Sequence, residues 1–291
     1  FDRPNLTYRV IQRTDRTAQI LEILGRHPKE ASIVYCISRR ETERLAKHLT
    51  AAGLLAHPYH AGLDAKKRHK TQEAFANETL DVVVATVAFG MGVDRADVGL
   101  VLHLDLPSTP EGYLQESGRA GRDGKPAECL VLFSPGDRTS LGWAMQASLR
   151  RAGDDAEQRR LDLSQQQLRR MEAVAEGGLC REQALLLSVG EFSGPCGRCD
   201  RCTSPSKRED WSPQAQILLS HLVDQDGTDM RRLGDYLSLH EPGRSDRWTW
   251  LARRLVQDEL IRESNDGLQR LYVRDSGRRY VDDPWPLDYC A

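Results

Sequence analysis

Leu80-Asp81-Val82-Val83-Val84-Ala85-Thr86-Val87-Ala88-Phe89-Gly90-Met91-Gly92-Val93-Asp94 decides the fold. From Val82 to Ala85 no polar residue interrupts the run, the pattern of a strand buried on both faces. Such strands belong to parallel sheets covered by helices, and open sheets of this kind bind ligands at the carboxyl ends of their strands. Gly90 and Gly92 sit where a backbone could approach a ligand closely. Outward from this stretch the pattern repeats. Residues 32–37 form a second apolar run, followed by helical periodicity over 39–49 with Leu45, Ala46 and Leu49 on one face. A helix is predicted over 64–76, and further apolar runs occupy 100–104 and 129–133. Residues 1–142 are therefore expected to form an α/β domain, a parallel sheet with flanking helices.

Strand signals vanish over 143–207, where Arg- and Gln-rich helical segments at 161–175 and 181–187 bracket a cysteine cluster. So small and polar a segment cannot hold a large core, and a bound metal would supply what the core lacks. Thr203-Ser204-Pro205-Ser206-Lys207 has the composition of a linker. Residues 208–291 predict three helices (214–223, 230–237, 245–258), then strands at 268–273 and 279–281 with Asn265-Asp266-Gly267 as a hairpin signal. Three helices and a hairpin predict a winged helix, and 282–286 predicts an acidic irregular tail.

The 291 residues carry 41 Lys plus Arg against 43 Asp plus Glu, so no global basic charge announces a nucleic-acid partner. Residues 208–291 are acidic, with 12 basic against 16 acidic side chains, whereas 1–142 hold 19 against 18. No apolar run approaches the ~20 residues of a transmembrane helix, and no membrane partner is expected. The chain begins at Phe1 and shows no signal peptide. Phe1-Asp2-Arg3-Pro4-Asn5 reads as an interdomain connection, which predicts a fragment of a longer chain.

Seven cysteines, four of them clustered, argue against a secreted disulfide framework. A reducing compartment is expected: cytoplasm, nucleoid-associated in a bacterium, or nucleus. Cys36 and Cys129 lie inside apolar runs, where cysteine acts as a small hydrophobe. Cys180, Cys196, Cys199 and Cys202 have the spacing C-x15-C-x2-C-x2-C. Two C-x2-C steps sharing Cys199 place three thiolates in one knuckle, and Cys180 can close a tetrahedral Zn²⁺ site with no open position, hence a structural one. An iron-sulfur cluster is the competing reading, although the x3-C-P continuation of ferredoxins is absent. Arg198 and Arg201 in the knuckle could either touch phosphate or lie on the surface.

Gln115-Glu116-Ser117-Gly118-Arg119-Ala120-Gly121-Arg122-Asp123-Gly124 places two guanidinium groups three residues apart, each after a glycine, on an expected helix. Arginine suits phosphate because its planar donors bind bidentately and stay charged. Polar loops at Ile37-Ser38-Arg39, at Tyr59-His60-Ala61-Gly62 and after Ala85 share that character.

In this order, Tyr35-Cys36-Ile37-Ser38-Arg39, Tyr59-His60-Ala61-Gly62-Leu63, the stretch 85–94 and the stretch 115–124 resemble the second motor lobe of RecQ DNA helicases of superfamily 2. The resemblance runs from residue 1 to about 205 and includes the cysteine tetrad. It implies a RecA-like lobe (1–142), a helical zinc-binding module (143–207) and a winged-helix domain (208–291). It further implies a 3′-to-5′ DNA translocase of repair and recombination, with ATP and Mg²⁺ held between two lobes. By resemblance Arg122 is the arginine finger and Arg119 its companion. Gln115, Asp94 and Gly92 belong to the nucleotide cleft, and Ser38, Arg39, His60 and Thr86 lie near the backbone of the single-stranded tracking strand.

No G-x-x-x-x-G-K-[ST] and no D-E-x-H segment occurs in the chain. The phosphate cradle and the Mg²⁺ ligands are missing, so these 291 residues are not expected to hydrolyse ATP alone. Two other classes stay open: a non-enzymatic DNA-binding or protein-docking module, and a superfamily 2 RNA helicase. In the last domain, Arg247, Arg253 and Arg254 could form a local basic face or be ordinary surface residues on a helix whose Trp248, Leu251 and Leu255 face the core.

Overall fold

The computed structural model describes residues 3–89, 95–138, 140–142, 155–205, 207–237, 245–264 and 268–290. Its contacts divide the chain into two compact units, Phe1–Arg138 with Val174–Pro205, and Thr139–Ala173 with Ser206–Ala291. These units do not follow the expected boundaries at 142 and 207. The cysteine segment packs with the sheet, for a reason that lies in Arg198: its Nε donates to Leu6 O at 2.8 Å and its Nη2 to Arg3 O at 3.2 Å.

In the first unit, β1 (Leu6–Gln12), β2 (Ala31–Tyr35), β3 (Ala56–Tyr59), β4 (Val82–Ala85), β5 (Val98–His103) and β6 (Ala127–Phe133) form one sheet. The order is β1-β6-β5-β2-β4-β3, and every pairing is parallel. The expected α/β architecture is present. Central β2 and β4 are buried along their whole length, as unbroken apolar runs require. The edge strands β1 and β3 carry no such run and were not read from sequence. Pro58, which has no N–H to give a ladder, is tolerated because β3 pairs on one side only.

Helices α1 (Arg16–Gly25), α2 (Arg39–Ala51), α3 (Ala65–Ala76) and α4 (Pro110–Ser117) flank the sheet. Each begins at a polar cap. Ser38 accepts from Glu41 N, Asp64 from Lys67 N, and Thr109 from Gly112 N with Pro110 in the first turn. On one face Ile20, Ile23, Leu45 and Leu49 bury against Val34, Val84, Leu100 and Leu130.

Helix α5 (Asp155–Glu176) begins in the second unit and ends in the first. It is followed in the first unit by α6 (Arg181–Ser188) and α7 (Asp200–Thr203). The second unit continues with β7 (Arg208–Asp210), α8 (Ser212–Asp224), β8 (Thr228–Asp229), a 3-10 turn at Met230–Arg232, α9 (Leu233–Leu237) and α10 (Ser245–Gln257). After these come β9 (Ile261–Glu263), β10 (Arg270–Val273), α11 (Asp275–Asp282) and β11 (Asp288–Cys290). β9 and β10 pair antiparallel, and β8 joins the far side of β10. The hairpin signal between them, Asn265-Asp266-Gly267, lies outside the described residues.

Trp248, Leu251 and Leu255 enter the core of this unit beside Trp211, Leu218, Leu233 and Leu271. Three expectations fail here. Residues 279–281 are not a strand but part of α11, because Gly277 and Tyr280, one turn apart, are the buried positions. Residues 283–286 are irregular and exposed as expected, but they are no tail, since Leu287 is buried and β11 pairs with β7. Arg253 and Arg254 form no basic surface, since both are buried. Arg253 lies 3.8 Å from Glu172, and Arg247 stacks over the Trp211 ring at 4.4 Å. No described helix is long and apolar enough to cross a membrane.

Candidate functional site

The register sets the carboxyl ends of the central strands level, with Tyr35 opposite both Ala85 and His103, and Tyr59 opposite Ala85. The loops leaving these ends carry Ser38, Thr86 and His60, so three segments far apart in sequence meet at one edge. Backbone bonds fix them, Cys36 N donating to Ala85 O at 2.8 Å and Thr86 N to Tyr59 O at 3.1 Å. Ser38 caps α2, which engages its oxygen and leaves the hydroxyl proton for a ligand. Arg39 opens the same helix, exposed. Its guanidinium lies beside Gly62 and His60: a Cβ at Gly62 would stand 3.0 Å from Arg39 Nη1 and 3.2 Å from His60 Nδ1.

His60 is buried, donates from Nε2 to Glu43 at 3.1 Å, and has no protein partner at Nδ1. A buried ring nitrogen without a partner is costly. The structure therefore brings Arg39 and His60 side by side, with Ser38 and Thr86 on neighbouring loops at the same end of the sheet.

A second cluster follows β5. Gln115 lies exposed on α4, but Arg119 and Arg122 stand beyond its end, in turns rather than on the expected helix. Gly121 explains the turn. Its φ is +55°, and a Cβ there would approach Lys125 O to 2.8 Å. Arg3 Nη2 bonds Gly121 O at 2.7 Å and Asn5 Nδ2 bonds it at 2.8 Å. The lead-in to β1 thus pins the arginine segment. Arg122 is exposed, with its Nε 3.5 Å from Gly118 O. Gly92 and Asp94 lie outside the described residues.

The third cluster is the cysteine tetrad. The four Sγ atoms of Cys180, Cys196, Cys199 and Cys202 lie within 4.8 Å of one another, and Cys180 Sγ and Cys199 Sγ are 3.8 Å apart. Four thiolates each ~2.3 Å from a tetrahedral centre stand ~3.8 Å apart, so one zinc ion fits. An iron-sulfur cage would put each thiolate on a different iron and spread them wider. Backbone N–H groups of Cys196 and Cys199 point at Cys180 Sγ and Cys196 Sγ, at 3.3 and 3.4 Å, as thiolate ligands require.

Arg181, unread in the sequence, holds this module. Nε and Nη2 grip Asp200 at 2.8 to 3.2 Å while Nη1 bonds the carbonyls of Val174 and Ala175 at the end of α5. Arg198 pairs with Glu182 besides its bonds to β1, and Arg201 donates to Glu176 O at 3.1 Å. These bonds tie both arginines to the protein's own carbonyls and carboxylate.

Residues 12–124 match the helicase conserved C-terminal domain, so the parallel-sheet unit contains a helicase C-terminal domain. Residues 135–203 match the RecQ zinc-binding family. Among curated proteins, the ATP-dependent DNA helicase RecQ of Pasteurella multocida is 37% identical over 241 residues, covering 82% of this chain and 36% of that protein. The RecQ of Haemophilus influenzae is 37% identical over 221 residues, covering 76% and 35%. The RecQ of Bacillus subtilis is 33% identical over 306 residues, covering 97% and 50%. The chain belongs to the RecQ helicase family. It spans half the length, or less, of these relatives.

Proposed function

We propose that this chain is the second motor lobe, zinc-binding module and winged-helix domain of an ATP-dependent 3′-to-5′ DNA helicase acting in repair or recombination. The observation that carries the reading is the convergence of Ser38, Arg39, His60 and Thr86 at the carboxyl edge of one sheet, with Gln115, Arg119 and Arg122 on a pinned segment following the same sheet's β5. The first group holds phosphates of the tracking strand, positioning it without reading sequence. The second faces a nucleotide whose cradle and Mg²⁺ ligands belong to a Walker-type lobe that these residues do not contain. Arg122 stabilises the charge developing on the transferred phosphoryl group, with Arg119 as its companion and Asp94, Gly92 and Gln115 at the cleft. Zinc in the tetrad is structural.

The test is Arg122→Ala in the intact helicase. DNA-stimulated ATP turnover should fall by roughly 10³-fold or more, the scale of an arginine finger, with nucleotide affinity largely kept. Normal turnover would remove the finger assignment. Comparing stimulation by single-stranded DNA and RNA on the unmutated protein separates a DNA helicase from an RNA helicase, and no stimulation by either would leave a binding module.

A further inference from the structure

The two phosphate-suited clusters are joined through the core of the sheet unit. Tyr113 on α4 sets its edge against His103 at 5.0 Å, and His103 stacks on Tyr35 at 4.8 Å with the rings 21° apart. His103 Nε2 donates to Glu116 at 2.7 Å, which ties the end of β5 to the segment that carries the arginines. Tyr35 Oη donates to Phe89 O at 3.1 Å, in the loop that begins at Thr86. Phe89 then meets Tyr59, the residue before His60, edge-on at 4.8 Å.

The Tyr35 hydroxyl thus holds the loop from Thr86, while the Tyr35 ring, stacked on His103, is tied through Glu116 to the segment that carries the arginines. Packing alone does not call for the hydroxyl, because phenylalanine would fill this site and stack on His103 equally well. Tyr35 is only 3% exposed, and a hydroxyl buried so deeply is costly unless bonded. Burial also pushes its ionisation far above the ordinary range, the nearby Arg119 charge only partly opposing, so the group stays a donor.

We infer that the Tyr35 hydroxyl is a positioning group that couples the arginine segment, through His103 and Glu116, to the Thr86–Phe89 loop, so that seating a DNA phosphate at Thr86 and aligning the arginines favour each other. The inference rests on the proposed helicase function. Coupling of this kind is reciprocal, so each site sharpens the other.

Tyr35→Phe in the intact helicase removes the hydroxyl and keeps the ring. The measurements are ATP turnover with and without an oligo-dT strand, KM for ATP, oligo-dT affinity without nucleotide, and melting temperature. The ratio of DNA-stimulated to unstimulated turnover should fall about tenfold, while KM and oligo-dT affinity stay within about twofold. Tyr35→Leu, which also loses the stacking, should lower the melting temperature, whereas Tyr35→Phe should leave it near the unmutated value. Unaltered stimulation in Tyr35→Phe overturns the inference, as does an equal loss of turnover with and without DNA. If the unmutated protein shows no stimulation by DNA, the proposed function falls first.

Discussion

Arg181 illustrates what a single side chain does here. It is 3% exposed and joins the residue after one cysteine, Cys180, to the residue after another, Cys199, through Asp200. Arg181→Met keeps much of the volume but leaves that carboxylate and the carbonyls of Val174 and Ala175 without their donor. Loss of one partner of a buried pair costs about 3 kcal/mol, so the urea midpoint of unfolding should drop and a chelator should strip the metal faster. Arg119 and Arg122 were conspicuous in the sequence because each follows a glycine in an ordered motif. Arg181, Arg198, Arg253 and Arg254 were not, since nothing local distinguishes an arginine on a surface from one turned toward a distant carboxylate or carbonyl. For Arg198 the decisive carbonyls belong to Leu6 and Arg3, 192 and 195 residues away.

Among elements, legibility followed burial on both faces. β2, β4, β5 and β6 announced themselves as apolar runs; β1, with Arg9 in its middle, and the four-residue β3 did not. α11 was misread because Tyr280 and Val281 suit a strand, and only packing shows the one-turn spacing of Gly277 and Tyr280. One inter-element tie is pH-sensitive. His27, just after α1, donates from both ring nitrogens, to Glu128 on β6 at 3.0 Å and to Glu30 at 2.8 Å. The Glu128 hydrogen bond, against opposing burial, raises His27 above its ordinary 6.5. Burial alone would raise Glu128, but His27 with Arg9 and Arg26 outweighs it and holds the carboxyl below its ordinary 4.5.

The His27 contribution is thus complete below 6.5 and fades as pH rises through its raised folded value. That of Glu128 is complete above 4.5 and fades as pH falls through its lowered one. The stability gap between the unmutated chain and His27→Gln, followed by urea unfolding, should be widest between these values and shrink toward pH 8. A gap of about 1 kcal/mol is expected for so partly screened a pair.

At the scale of the molecule, the zinc-binding segment is not an appendage. Elemental analysis should find one zinc and no iron per chain, and Cys196→Ser should lose it. Chelation should then remove hydrogen-exchange protection from residues 3–12, whose carbonyls at Arg3 and Leu6 Arg198 holds, while β2 and β4 stay protected. Protection retained at β1 in the metal-free protein would show that the tether carries no stability. The α/β lobe and the cysteine module were legible in order and chemistry. Their grouping into two compact units was not, because it depends on which face of the cysteine segment meets β1.

Since β1 is at the sheet edge and pairs only with β6, Leu6 finds its partner in Ala127. On a ribosome adding roughly 5 to 20 residues per second, that strand leaves the exit tunnel and waits on the order of ten seconds. Arg198, which fastens it, emerges later still. β1 therefore stays unpaired until β6 has emerged, and metal capture, which needs Cys202, comes later and fastens that strand to a segment made 192 residues after it.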